Sequence, residues 1–85
     1  MPPSFTQRVL KIVSHIPRGE TMTYAQVAEA AGSPGAARAV GSVMKYNYDP
    51  TIPCHRVIRS DGKLGEYNRG ASKKEELLKE EGAIN

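Results

Sequence analysis

Phe5, Val9, Ile12, Val13 and Ile16 recur at helical spacing, and Ser4 with Gln7 makes the S-x-x-Q pattern of a capping box. Residues 4–16 therefore predict an amphipathic helix, ended by Pro17 and Gly19. The signature returns at Thr23 and Gln26, where Val27, Ala28 and Ala31 predict a short second helix that Gly32 can close. Ser33 as a cap, with Pro34 at the first helical position, restarts the pattern, so a third helix is expected over about residues 34–46. Two short helices joined by a tight glycine-containing turn read as a helix-turn-helix over about residues 23–47. Asn47 then ends the third helix as a residue tolerant of left-handed geometry.

Beyond that point the period changes. Residues 52–59 have extended character, and Asp61-Gly62 is a turn signal before Lys63-Leu64, which predicts a small hairpin or wing. Residues 64–70 read as a loop. Ser72 with Glu75 is a third capping box, opening a final helix over residues 73–81 with Leu77 and Leu78 inward and Gly82 as its stop. The expected fold is mainly α: a winged-helix-like helix-turn-helix domain with a short β-hairpin.

At 85 residues this is one domain, burying about two thirds of its unfolded surface. No apolar run is long enough to span a bilayer and no signal-like N-terminus is visible, so no membrane association is expected. A single cysteine excludes an internal disulfide and fits a reducing compartment, cytoplasmic or nuclear. One cysteine and two histidines argue against a structural zinc site. The net charge of +3 suits a polyanionic partner without demanding one, and because acids crowd the final helix, the middle of the chain is the more basic part.

Candidate chemistry centres on residues 52–57, Ile-Pro-Cys-His-Arg-Val. A thiol is a useful nucleophile only as a thiolate, and His55 is the nearest group able to favour it in Cys54. Successive side chains on a regular strand face opposite ways, but Pro53 donates no amide hydrogen and argues against a central strand here. The competing reading is a small buried cysteine beside a solvated histidine. His15 reads as solvated or facing a helix C-terminus. Tyr24 is by itself an ordinary amphipathic tyrosine, and Glu81 a solvated helix charge. Gly41 within the third helix costs about 1 kcal/mol relative to alanine, so the small face of Ala36, Ala37 and Gly41 needs a reason: tight helix packing, or close approach to a ligand.

Pro53-Cys54-His55-Arg56-Val57 resembles the active-site signature of the O6-alkylguanine-DNA alkyltransferases, which repair methylated guanine by moving the alkyl group onto their own cysteine. The likeness extends over almost the whole chain, through Thr23-Tyr24, Ala36-Ala37-Arg38-Ala39-Val40-Gly41, Asn47, Gly65-Glu66-Tyr67 and Leu77-Leu78-Lys79-Glu80-Glu81-Gly82. It implies that Cys54 accepts the alkyl group, that His55, oriented by Glu81, passes a proton through water, and that Tyr24 contacts the phosphate beside the target and helps neutralise the leaving base. It also implies that the third helix enters the minor groove of double-stranded DNA containing O6-alkylguanine, with Arg38 filling the gap left by the rotated nucleotide and Thr23, Tyr24, Ala36, Ala37, Gly41 and Lys45 against the DNA.

By the same resemblance the substrate pocket is built from Met44, Val57 and the loop of Gly65, Glu66, Tyr67 and Asn68, and Asn47 ties the helix-turn-helix to the active-site turn at 52–57. No cofactor is implied, since the protein is the acceptor, and a monomer is expected. Arg69 stands where many relatives have glycine, which bears on the size of alkyl group accepted. The relatives usually carry an additional N-terminal domain, and this chain begins where their C-terminal domain begins. Two other readings stay open: a related lesion-binding protein that recognises O6-alkylguanine without transfer, although those replace the cysteine, and a winged-helix DNA binder indifferent to lesions.

Overall fold

Both N-terminal capping boxes form. Ser4 Oγ accepts from the Gln7 amide at 3.1 Å while Gln7 Oε1 accepts from the Ser4 amide at 2.8 Å, and Thr23 with Gln26 repeats the exchange at 3.0 and 2.8 Å. They open helices α1 (Phe5–Ser14) and α2 (Tyr24–Ala30) of a computed structural model that describes residues 3–65 and 69–84. Strand β1 (Met22–Thr23) precedes α2; then come α3 (Ala37–Lys45), a 3-10 turn (Cys54–Arg56), strand β2 (Val57–Ile58) and α4 (Ala71–Glu80). The domain is mainly helical, as the periodicity predicts, and α2 and α3 pack on one another as the helix-turn-helix pair.

Val9 and Val13 of α1, with Ile16, meet Val27 and Ala28 of α2 and Val40 and Met44 of α3 in one core, which extends to Cys54 and Val57. Each fully buried valine contributes roughly 1.5 kcal/mol or more. The 3-10 turn at Cys54 is thus mounted on the domain's main apolar cluster. On α4, Leu78 is fully buried while Leu77 is only half-buried.

Four local expectations are corrected. Ser33 does not cap α3: its amide donates to Ala28 O and that of Gly32 to Glu29 O, the paired bonds of a Schellman closure of α2, so α3 begins later with Ala36 as an N-cap that makes no side-chain bond. Ser72 does not cap α4 either: the helix starts at Ala71, two residues earlier than expected, from Gly70, whose φ of +99° is open to glycine at little cost. Asn47 is not left-handed, because every positive φ among the described residues belongs to a glycine. The sheet is no hairpin: β1 and β2 pair in parallel, Met22 with Val57 and Thr23 with Ile58. At Asp61-Gly62 the chain does turn, Arg59 N–H donating to Lys63 O at 3.0 Å, but no strand follows among the described residues.

Candidate active site

Pro53 has φ −78° and ψ 67°, and the Cys54 amide donates to Ile52 O at 2.8 Å. These are the angles and the bond of an inverse γ-turn, for which the ring of proline fixes half the geometry in advance. The chain then enters the 3-10 turn, not the extended run expected over 52–59, and this lets two consecutive side chains, Cys54 and His55, both be buried. The parallel pairing of Met22 with Val57 sets the start of α2, and with it Tyr24, beside this turn.

Asn47 Nδ2 donates to Cys54 Sγ at 2.8 Å, so the end of the helix-turn-helix is tied to the reactive turn. Burial pushes the thiol above its ordinary value, while the Asn47 donor, the local backbone and the charges of Arg69 and Lys74 pull it back. Desolvation penalises any ionised group, and the surrounding donors and cations favour the thiolate.

Behind the sulfur lies a second cluster. Glu81 accepts from Arg56 through two bonds, Nε to Oε1 and an Nη to Oε2, both 2.9 Å, while His55 Nε2 sits 2.9 Å from Oε2. Arg56 also donates to Ile16 O at 2.8 Å. The Arg56 fork, and after it His55, holds the Glu81 carboxyl down to about 2, against the pull of burial. Glu81 is not inside the last helix but at its C-cap, where the Gly82 and Ala83 amides donate to Lys79 O and Leu78 O in a second Schellman closure. The stop signal at Gly82 is therefore also what aims the carboxylate.

In front of Cys54 opens a cleft of about 970 Å³, lined by Tyr24, Met44, Tyr48, Gly65 and Ala71 and by the small side of α3 at Gly41 and Ser42. Arg38, Lys45, Arg59 and Lys63 also line it, with no carboxylate among the described lining residues. A Cβ built on Gly41 would meet nothing within 4 Å among the described residues, so packing among them does not require this glycine. Close approach of a ligand along the cleft is the explanation left. Two exposed tyrosines, Tyr46 and Tyr48, follow from α3.

The structure thus gathers Cys54, Tyr24, Met44, Gly41, Arg38 and Lys45 on one cleft, and His55 with Glu81 behind it. Thr23 caps α2 just outside, and Ala36 and Ala37 form the start of α3, all three half-buried. Val57 is buried beneath the cleft and does not line it. Tyr67 and Asn68, with Glu66, fall outside the described residues. Arg69 is exposed, and its guanidinium reaches toward Tyr48 O at 3.5 Å and does not enter the cleft. His15 is an exposed C-cap residue of α1 whose Nδ1 lies 2.7 Å from Lys11 O.

Sequence reasoning missed two participants, and for a third, Gly65 of the pocket loop, it missed the reason for the residue type. Arg56 was visible only as a letter of the motif, since nothing local announces a fork on a residue so distant in the chain. Lys74 reads as one of many exposed helix charges, yet it is fully buried. Gly65 was placed in a loop without a reason for being glycine. Its φ is +81°, and a Cβ there would stand 3.2 Å from both the Tyr24 hydroxyl and Arg59 Cγ. A Gly65→Ala variant is expected to lose about 1–2 kcal/mol, read from urea melts, through backbone strain. Because Tyr24 must also give way at the cleft wall, methyl uptake from lesion-bearing duplex should slow at least about tenfold.

Residues 4–83 match the family model described as "6-O-methylguanine DNA methyltransferase, DNA binding domain". The mouse methylated-DNA--protein-cysteine methyltransferase is 52% identical over 82 residues, an alignment covering 93% of this chain and 39% of that protein. The crystal structure of Mycobacterium tuberculosis OGT in complex with DNA superposes with a TM-score of 0.88 at 45% identity, covering 95% of this chain and 50% of that one. Schizosaccharomyces pombe Atl1, in complex with damaged DNA containing O6-carboxymethylguanine, gives 0.82 at 37% identity, covering 92% and 75%. The chain spans less than half the length of the curated relatives it matches. With a matched model over nearly its full length and relatives at about half identity, the chain belongs to the 6-O-methylguanine DNA methyltransferase family, within that family's DNA-binding domain.

Proposed function

We propose that this domain repairs alkylated DNA in a single turnover, rotating an O6-alkylguanine out of the duplex and moving its alkyl group onto Cys54. The observation that carries this reading is a sulfur at the floor of an open cleft whose described charged residues are all basic. Thr23, Tyr24, Ala36, Ala37, Gly41 and Lys45 rest against the DNA in the minor groove, and Arg38, exposed at the cleft, takes the place of the extruded nucleotide. Extrusion costs a few kcal/mol, least for a badly paired base, which gives the first selection for the lesion. Phosphate contacts give affinity that falls with salt and carries little sequence preference.

In the transfer, Cys54 Sγ forms a bond to the alkyl carbon as the bond from that carbon to guanine O6 breaks, and the electron pair stays with the guanine. The proton that the thiol gives up reaches the base by way of water and His55, with the Tyr24 hydroxyl helping to neutralise it. Glu81 holds His55 through Nε2, in the pattern of a carboxylate, an imidazole and a nucleophile. Met44 and Asn47 stand beside the base with Val57 beneath, and by the family resemblance Tyr67 and Asn68 complete the pocket. The product is a thioether that thiol exchange does not reverse, so each molecule acts once and no cofactor is needed.

A second reading is favoured by the likeness to Atl1: recognition of O6-alkylguanine without transfer. Intact-mass spectrometry after incubation with duplex carrying O6-methylguanine separates the two. Gain of one methyl in place of the Cys54 hydrogen is the expected result; tight lesion binding with no gain favours the second reading, and indifference to the lesion defeats both.

A further inference from the structure

Tyr46 and Tyr48 are the two large hydrophobic side chains that stand exposed among the described residues, at 73% and 66%. A single exposed tyrosine is ordinary on a protein surface. Of the pair, however, only Tyr48 lines the cleft that holds Cys54, where it shares the wall with Tyr24, Met44 and Gly41. Its ring is not among the side chains packed against the core, so the core does not account for it.

The chain on either side of Tyr48 is braced. Asn47 Oδ1 accepts from the Asp49 amide at 3.3 Å, while Nδ2 of the same side chain donates to Cys54 Sγ at 2.8 Å. Asp49 Oδ1 in turn accepts from the Thr51 amide at 2.9 Å and the Thr51 hydroxyl at 2.7 Å, and the Ile52 amide donates to Asp49 O at 3.1 Å. Tyr48 is therefore carried on two successive Asx turns, the first of which also reaches the sulfur. An aromatic side chain has only two rotatable bonds of its own, so it loses little freedom on meeting a ligand.

We propose that Tyr48 is a stacking platform for the extruded base, a flat face on the cleft wall that holds the purine while its alkyl carbon meets Cys54. The inference rests on the reading of the cleft as the place that receives a rotated nucleotide. The described charged residues of the lining, Arg38, Lys45, Arg59 and Lys63, suit a ligand that brings phosphates with it. A phosphate-bearing ligand that also offers a flat apolar face to an aromatic ring is a nucleotide, and such stacking accepts any base because every base has a π face. The backbone that carries the ring is tied through Asn47 to the sulfur, so a base held there is held near the reacting atom.

The test compares the wild type with Tyr48→Phe and Tyr48→Ala, substitutions that so exposed a site should tolerate without unfolding. Affinities for duplex with and without O6-methylguanine are measured by electrophoresis in a Cys54→Ser background, which keeps an acceptor for Asn47 and should stop transfer. Methyl uptake is followed by intact mass with Cys54 in place. Tyr48→Ala is expected to lose about tenfold or more in affinity for lesion-bearing duplex, the scale of one base-aromatic stack, and to keep its affinity for undamaged duplex, where no base is rotated out. At limiting DNA its methyl uptake should slow by a similar factor. Tyr48→Phe keeps the ring and should match the wild type.

An equal loss on both duplexes would set the ring against the DNA backbone or a base still in the stack, and an equal loss in Phe and Ala would assign the effect to the hydroxyl. Faster uptake in Tyr48→Ala would make the ring an obstruction. Each of these, like the absence of any change, overturns the proposal. Iodoacetamide, which a thiolate alkylates itself with as iodide leaves, needs no base in the cleft and should react with Cys54 equally in all three proteins; a fall in Tyr48→Ala that matches its fall in methyl uptake would mean that the residue only supports the turn at Cys54, and also overturns it. A lesion preference that vanishes in Tyr48→Ala, in a protein that gains no methyl, upholds the stacking and defeats the transfer. Methyl uptake untouched by Tyr48→Ala does the reverse, and a wild type that ignores the lesion defeats both.

Discussion

A Cys54→Ala variant is expected to bind duplex containing O6-methylguanine and never to gain mass, whatever the time allowed. In the proposed reaction the sulfur is the acceptor, and it is the chain's one cysteine, so its loss should remove the reaction entirely. Binding should survive because Arg38, Lys45 and the small face of α3 are untouched, and alanine fills most of the space of a small buried side chain, removing only the sulfur that Asn47 Nδ2 donates to. Cys54→Ser is the sharper control. It keeps an acceptor for Asn47, yet a hydroxyl is far less acidic than a thiol and should stay unalkylated. Electrophoretic binding and intact-mass measurements on the same samples check both halves, and methyl appearing on any other residue would remove Cys54 from its role.

Substitution of Glu81 should have the largest effect on stability. Its carboxylate, with a side chain 6% exposed, takes both arms of the Arg56 fork and the His55 Nε2. Breaking one partner of such a buried pair leaves the other charge uncompensated, at a cost of about 3–5 kcal/mol. For a domain of this length, whose total is roughly 4–13 kcal/mol at the usual rate per residue, that is a large share. Glu81→Gln, which retains one acceptor, is expected at the lower end of that range, with the urea midpoint as the measurement. Transfer should fall as well, since His55 loses its orientation.

The same carboxylate sets an acid limit. It titrates near 2 in the folded domain and near 4.5 otherwise. Between those values the unfolded chain binds the extra proton, so the stabilisation is complete above about pH 4.5 and is lost as pH falls toward about 2, by up to about 3 kcal/mol. In Glu81→Gln that dependence should be gone. An equal acid sensitivity in the two proteins would assign the effect to other groups.

What the sequence made legible was local. The boxes at Ser4 and Thr23 are read from spacing because the bonds they predict join residues three apart, and the core stripe of α1 follows from its period. Ser33, read as a simple cap, and Ser72, read with Glu75 as a box, both fail because a nearby glycine redirects the chain: Gly32 draws Ser33 into the closure of α2, and Gly70 starts α4 before Ser72 can cap it. The parallel register of Met22 with Val57 has no local signal, since two residues of strand cannot announce a distant partner. The proposed nucleophile and its imidazole were legible through a family signature, and Glu81 was reached only that way. The Arg56 fork and the buried ammonium of Lys74 were not, because charged helix residues look alike until tertiary packing decides which of them face inward.

That two-residue parallel bridge joins segments far apart in the chain, and β2 leads straight out of the reactive turn. Closing such a long loop is entropically unfavourable until the helical core exists to reward it, so the geometry of the turn at Cys54 depends on that core. The distinctive behaviour of the sulfur is consequently a property of the closed ring of chain: let the bridge slip, and Cys54 becomes an ordinary solvent-exposed mercaptan, open to any electrophile and selective for none.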